Sequence, residues 1–156
     1  MQKVIMVVCT LASFAVLATG AFSADDKAAA VKERRHLMKD IVAPGAKLGN
    51  QMGKGAVPFD ADKAAKAMND INGVPDKYVT LFPEGTAKGQ IADSQAKPEI
   101  WEDFDKFKAT AMKLKDASAK AAGAAAQGQG TFTAAFNDMT KVCKECHETF
   151  REKIDQ

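Results

Sequence analysis

The chain has 156 residues, with 22 lysines and arginines against 20 aspartates and glutamates, which is the size of one compact domain behind a leader. So even a balance gives no global electrostatic argument for nucleic acid or an acidic membrane as a partner. Its cysteines are Cys9, Cys143 and Cys146, too few for a disulfide framework.

The first residues carry Lys3, an apolar run from Val4 to Leu17, and then the small residues of Ala18-Thr19-Gly20-Ala21-Phe22-Ser23-Ala24. That is the order of a secretory leader. Ala21 and Ser23 meet the small-residue requirement for a cut after Ser23, with Ala24 as the neighbouring choice. The run falls short of the ~20 residues of a spanning helix, so a leader fits better than an anchor. The organisation expected is a signal peptide over 1–23 and one exported domain over 24–156, with no membrane span in the mature chain. Cys9 leaves with the leader.

From Asp25 to about Met52, Val31, Arg34/Arg35, Met38, Ile41/Val42, Leu48 and Met52 recur at helical spacing. Asp25 or Asp26 suits the N-terminus of this helix, and Pro44-Gly45 predicts a kink or a restart. Gly53 to Pro58 reads as a loop, after which Asp60 or Asp62 caps a second helix from Ala61 to about Phe82. Ala64, Ala65, Met68, Ile71, Tyr78 and Phe82 face inward on it, with a break expected near Asn72-Gly73-Val74-Pro75. The polar connection from Pro83 to Lys97 is long for a loop within a domain and is expected to pack over the helices.

Pro98 opens a third helix in its favoured first-turn position, and Ile100, Phe104, Phe107, Ala111, Leu114, Ser118, Ala121 and Ala125 sustain its three-four repeat. Gln127-Gly128-Gln129-Gly130 ends it, and Thr131 is expected to cap the last helix. There Phe132, Phe136, Met139, Cys143, Cys146, His147, Phe150 and Ile154 share a face. No strand-like alternation of useful length occurs. Four helices with comparatively short connections predict an all-α, antiparallel four-helix bundle, a fold whose core can hold a cofactor between facing helices.

Cys143-Lys144-Glu145-Cys146-His147 has the C-x-x-C-H spacing of c-type haem attachment. Each thiol can form a thioether with a porphyrin vinyl group, and the adjacent imidazole can ligate the iron. A thioredoxin-like redox pair expects a βαβ setting and a zinc site needs two more ligands, neither of which the sequence offers. One covalently attached haem c is therefore the expected cofactor, and export agrees with it. Arg151, one turn beyond His147, is expected near the imidazole or a propionate.

The opposite face of the iron has few candidates. His36 and Met38 lie about 200° apart around the first helix. Met38 sits on the apolar stripe and His36 does not, so Met38 is the candidate ligand and His36 an exposed residue. A buried methionine is also ordinary core material. As a ligand, its thioether would favour ferrous iron and fill the second axial position. Of Arg34 and Arg35, one facing the haem edge would pair with a propionate, and spacing alone leaves both open.

Lys32-Glu33-Arg34-Arg35-His36-Leu37-Met38-Lys39, Val57-Pro58-Phe59-Asp60-Ala61, Lys97-Pro98-Glu99-Ile100-Trp101 and Cys143-Lys144-Glu145-Cys146-His147-Glu148-Thr149-Phe150-Arg151 together resemble class II cytochrome c, which comprises cytochrome c′ and the low-spin cytochrome c-556 type. The likeness runs through essentially the whole mature chain, in order, and class I cytochromes carry their haem motif near the N-terminus instead. It implies a periplasmic four-helix bundle, frequently a dimer packed through its first two helices. It further implies Cys143 and Cys146 as thioether attachments, His147 as proximal ligand, Arg34 as the propionate partner, and Phe59 and Trp101 as aromatics around the pocket. Met38 falls at the distal position, where a methionine ligates the iron in the low-spin type and shields an empty site in cytochrome c′.

Two functions compete on this reading. One is single-electron transfer between redox partner proteins or a membrane electron-transport complex through a His147/Met38 haem. The alternative is nitric oxide or carbon monoxide binding at an open distal site. A haem-free helical interaction protein is a third. The sequence offers no nucleophilic triad, phosphate-binding loop or second metal cluster to suggest an enzyme.

Overall fold

Helix formation begins at the expected end of the leader, where Ser23 and Asp26 cap each other. The Ser23 hydroxyl accepts from the Asp26 amide at 3.1 Å, and the Asp26 carboxylate accepts from the Ser23 amide at 3.1 Å, a reciprocal capping box. The computed structural model describes residues 22–152, so the expected leader lies almost wholly outside the described residues, as does Ile154.

The first limb of the bundle is α1 (Ala24–His36), a π-helical turn (Leu37–Val42) and α2 (Ala43–Gly53). The second is α3 (Ala61–Asn72), the short α4 (Pro75–Tyr78) and a 3₁₀ turn (Val79–Leu81). The third is α5 (Glu99–Glu102) and α6 (Phe104–Ala125), and the fourth is α7 (Gln129–Phe150). α6 packs on α3 and α7, and α2 packs on the same two helices, which closes the four-helix bundle. Among the described residues the only β features are the isolated bridges Lys88–Ile91 and Ala96–Arg151.

Three local expectations are corrected. The first helix is indeed interrupted, but the irregularity precedes Pro44. The Ala43 amide donates to the Met38 carbonyl, five residues back, and Pro44 falls in the first turn of the resumed helix. Proline cannot donate to the carbonyl four residues before it, and its ring crowds that group in a regular helix. Inserting one residue into the preceding turn relieves both faults.

The third helix breaks at Asp103, whose carboxylate accepts from the Lys106 amide and restarts the helix as an N-cap. The break shifts the register, leaving Phe104 38% exposed where the unbroken repeat predicted it inside. The last helix starts at Gln129, ahead of Thr131, because Gly128 occupies its N-cap with φ 100°. A side chain there would be strained.

One end of the bundle is sealed. Met52, Met68, Ile71, Phe132, Phe136 and Met139 fill it, with Ala64, Ala121 and Ala125 supplying the close contacts. Gly49 is required on α2, since a Cβ there would lie 2.5 Å from the Phe136 ring.

Candidate functional site

The other end of the bundle is open. A cleft runs between the first limb, the turn at Tyr78, α6 and the last two turns of α7, in two chambers that share Met38, Tyr78, Phe107, Cys146 and His147. The outer chamber, about 680 Å³ including its open mouth, has polar groups on its rim: Arg34, Arg35, Asp93, Ser94, Gln95 and Arg151. The inner chamber, about 490 Å³, is walled by Val42, Val74, Pro75, Ala111, Leu114 and Val142, with Cys143 opening onto it. Such a cavity is apolar at depth and cationic at its lip. It fits an amphipathic ligand whose charged substituents stay near solvent.

α7 delivers three groups to this cleft from successive turns: Cys143, Cys146 and His147, each half-buried. Both thiols are free. Burial pushes the Cys146 thiol up to about 11 and raises Cys143 as well. Burial also lowers the His147 imidazole below its ordinary value, and the Arg151 charge lowers it further. A neutral imidazole has a ring-nitrogen lone pair to offer a metal.

Met38 reaches the same cleft from the π-helical turn and lines both chambers. His36, two residues earlier, points to solvent, where its Nδ1 lies 2.9 Å from the Asp40 carboxylate. The structure also separates the two arginines that spacing could not. Arg34 is 5% exposed, donates from Nη2 to the Thr86 carbonyl at 3.2 Å, and carries its guanidinium 4.3 Å above the Phe82 ring. Arg35 is exposed and pairs with Asp93 at 2.8 Å.

Arg34 is held by the long connection between the second and third limbs. The Thr86 carbonyl that accepts from Arg34 also accepts from the Ser94 hydroxyl at 2.7 Å, and the Thr86 hydroxyl donates to Pro83. Farther along, the Lys97 amide donates to Phe150 and the Glu152 amide to Gln95, which ties the same loop to the end of α7. The expected packing of residues 83–97 over the helices is what the structure has.

Seven of the candidate site residues named from sequence line the cleft: Arg34, Arg35, Met38, Cys143, Cys146, His147 and Arg151. Two are not brought to it. Phe59 packs against Phe132, ring centroids 5.6 Å apart, at the sealed end, because the loop before α3 returns the chain there. Trp101 stands behind Phe82, donating from its indole nitrogen to the Phe82 carbonyl at 3.0 Å. It braces a wall it does not line. The helical spacing of Tyr78 points only to the core, and its place between the two chambers follows from the break at Pro75, which turns α4 toward the cleft.

The donor set fits a haem. One buried guanidinium nitrogen, Arg34 Nη1, has no hydrogen-bond partner, and an unpaired buried cationic donor is costly unless an anion meets it. The orphan donor on the rim suits a porphyrin carboxylate, and two thiols with a neutral imidazole deeper in suit its vinyl groups and iron.

A family model described as Cytochrome C′ matches residues 29–151. The chain belongs to the cytochrome c′ family. A relative, cytochrome c-554 of Cereibacter sphaeroides, is 36% identical over 123 residues, covering 78% of this chain and 80% of its own. Among solved structures, cytochrome c′ from Rhodobacter spheriodes superposes with TM-score 0.76 at 30% identity, over 82% of this chain and 98% of that one. A mutant cytochrome c prime from Alcaligenes xylosoxidans, solved as its nitric oxide complex, gives TM-score 0.70 at 29% identity, over 81% and 97%. With the family comes its cofactor, covalently attached haem c. Among the described residues no helix is long and apolar enough to cross a membrane.

Proposed function

We propose that this member of the cytochrome c′ family carries single electrons in the periplasm, with His147 and Met38 as the two axial ligands of its haem and Cys143 and Cys146 as its anchors. The observation that carries the proposal is that Met38 lines both chambers of the cleft together with His147. When bound, the haem supplies the Fe(III)/Fe(II) couple. The chain would contribute a nitrogen ligand on α7, a soft thioether on the π-helical turn, a largely apolar inner chamber, and Arg34 at the rim for a propionate. A thioether opposite imidazole favours the reduced iron and raises the potential. With both residues held to the iron there would be no open site for substrate, which suits electron carriage rather than catalysis.

The proposed route to the periplasm is export behind residues 1–23. The partners are redox proteins or a membrane electron-transport complex. A second copy is the other proposed partner, through the first two limbs. An open groove between them has Ile41, Pro44, Leu48 and Ala67 on its floor and Asp40, Lys63, Lys66 and Asp70 at its edges.

A second reading is favoured by the relative solved with nitric oxide: Met38 shields an open distal position, and the protein binds nitric oxide or carbon monoxide there. Carbon monoxide added to the reduced protein separates the two. Electron carriage predicts an unchanged absorption spectrum, because Met38 occupies the position; immediate formation of a carbonyl complex sinks it in favour of gas binding.

A further inference from the structure

We propose that Tyr78 and Arg34 form a two-donor clamp for one carboxylate of the cofactor, with the Tyr78 phenol as the donor that fixes where that carboxylate sits. The proposal rests on Arg34 as a propionate partner and adds to it a residue that neither the motif nor the spacing indicated.

Both donors are mounted on one aromatic ring. The Arg34 guanidinium lies 4.3 Å above Phe82, and the Tyr78 ring meets Phe82 edge-on with centroids 5.2 Å apart. Phe107 backs Tyr78 at 6.4 Å and Phe82 at 4.6 Å, so the Tyr78 ring is held between two packed aromatic neighbours. Both residues line the outer chamber.

Each has hydrogen-bonding capacity to spare. Arg34 uses Nη2 on the Thr86 carbonyl and leaves Nη1 buried and unpartnered. Burial pushes the Tyr78 phenol up to about 12, with no hydrogen bond contributing to the shift, so at neutral pH it is a protonated donor. A carboxylate has two oxygens, each able to accept, and charge-assisted bonds to a guanidinium and a phenol would satisfy both donors at once. The other cations at the rim are placed differently. Arg35 is committed to Asp93, and Arg151 is exposed at the end of α7.

The test uses the haem-loaded protein with its propionate carbons labelled with carbon-13, and compares the parent with Tyr78→Phe and Arg34→Lys by redox-difference infrared spectroscopy. Tyr78→Phe keeps the ring on Phe82 and Phe107 and removes only the hydroxyl. The labelled carboxylate band is expected to move in that variant. The midpoint potential is expected to fall, because a carboxylate that loses a donor keeps more negative charge near the iron. A band and potential unchanged in Tyr78→Phe overturn the clamp. If Arg34→Lys alone moves the band, Arg34 keeps its role and the phenol has none; if neither variant moves it, the propionate role of Arg34 fails as well.

Discussion

The two ends of this bundle are built from the same helices and differ in what they leave unfinished. At the sealed end α7 contributes Phe132, Phe136 and Met139, all buried against Met52, Met68 and Ile71. At the open end the same helix contributes Cys143, Cys146 and His147, all half-buried, beside an arginine whose buried Nη1 has no partner. The sealed end is complete without any ligand. The open end keeps a buried guanidinium nitrogen without a partner, which an anionic ligand would satisfy, so stability and function are divided along the bundle axis.

Breaking each end separately sharpens that division. Cys143→Ser with Cys146→Ser is expected to abolish covalent haem, seen as complete loss of haem staining on a denaturing gel. Because the sealed end does not depend on the cofactor, the variant should keep its helical circular dichroism. At the sealed end, Phe132→Ala removes a fully buried ring and is expected to cost about 3–5 kcal/mol in denaturant unfolding. Gly49→Ala forces a methyl against Phe136 and is expected to cost about 1–3 kcal/mol, with the haem spectrum unchanged.

Two smaller effects concern the supports of these ends. Trp101→Phe removes the indole donor to the Phe82 carbonyl, a loss of about 1 kcal/mol, measurable by thermal unfolding. Asp60 caps α3, and its hydrogen bond from the Lys63 amide holds its carboxyl below the usual range. Its contribution is therefore full above the ordinary carboxylate range and is lost as pH falls through the lowered value. In Asp60→Asn that part of the acid dependence should disappear from the unfolding curve.

Much of this arrangement was legible in the residues. The helical limbs follow from three-four spacing, and C-x-x-C-H marks the cofactor and the end of the bundle that holds it. What spacing could not resolve was tertiary. Arg34 and Arg35 are sequence neighbours, and only the loop carrying Thr86 and Asp93 buries one against the cleft wall and leaves the other exposed at the rim, paired with Asp93. Phe59 resembles a pocket aromatic in its motif, yet the loop it ends returns to the sealed end. Phe104 keeps the apolar period but loses its register at the Asp103 cap. Pro44 signals a kink or restart at the proline, whereas the backbone answers it one turn earlier, in the turn that bears Met38.

That turn carries Met38, which is proposed to hold the iron together with His147. This ligation can be checked by the absorption spectrum of the haem-loaded protein in both oxidation states, recorded beside that of Met38→Ala. Ligation by Met38 predicts a low-spin spectrum in the parent that turns high-spin in the variant. A high-spin parent, unchanged when Met38 is removed, would contradict it.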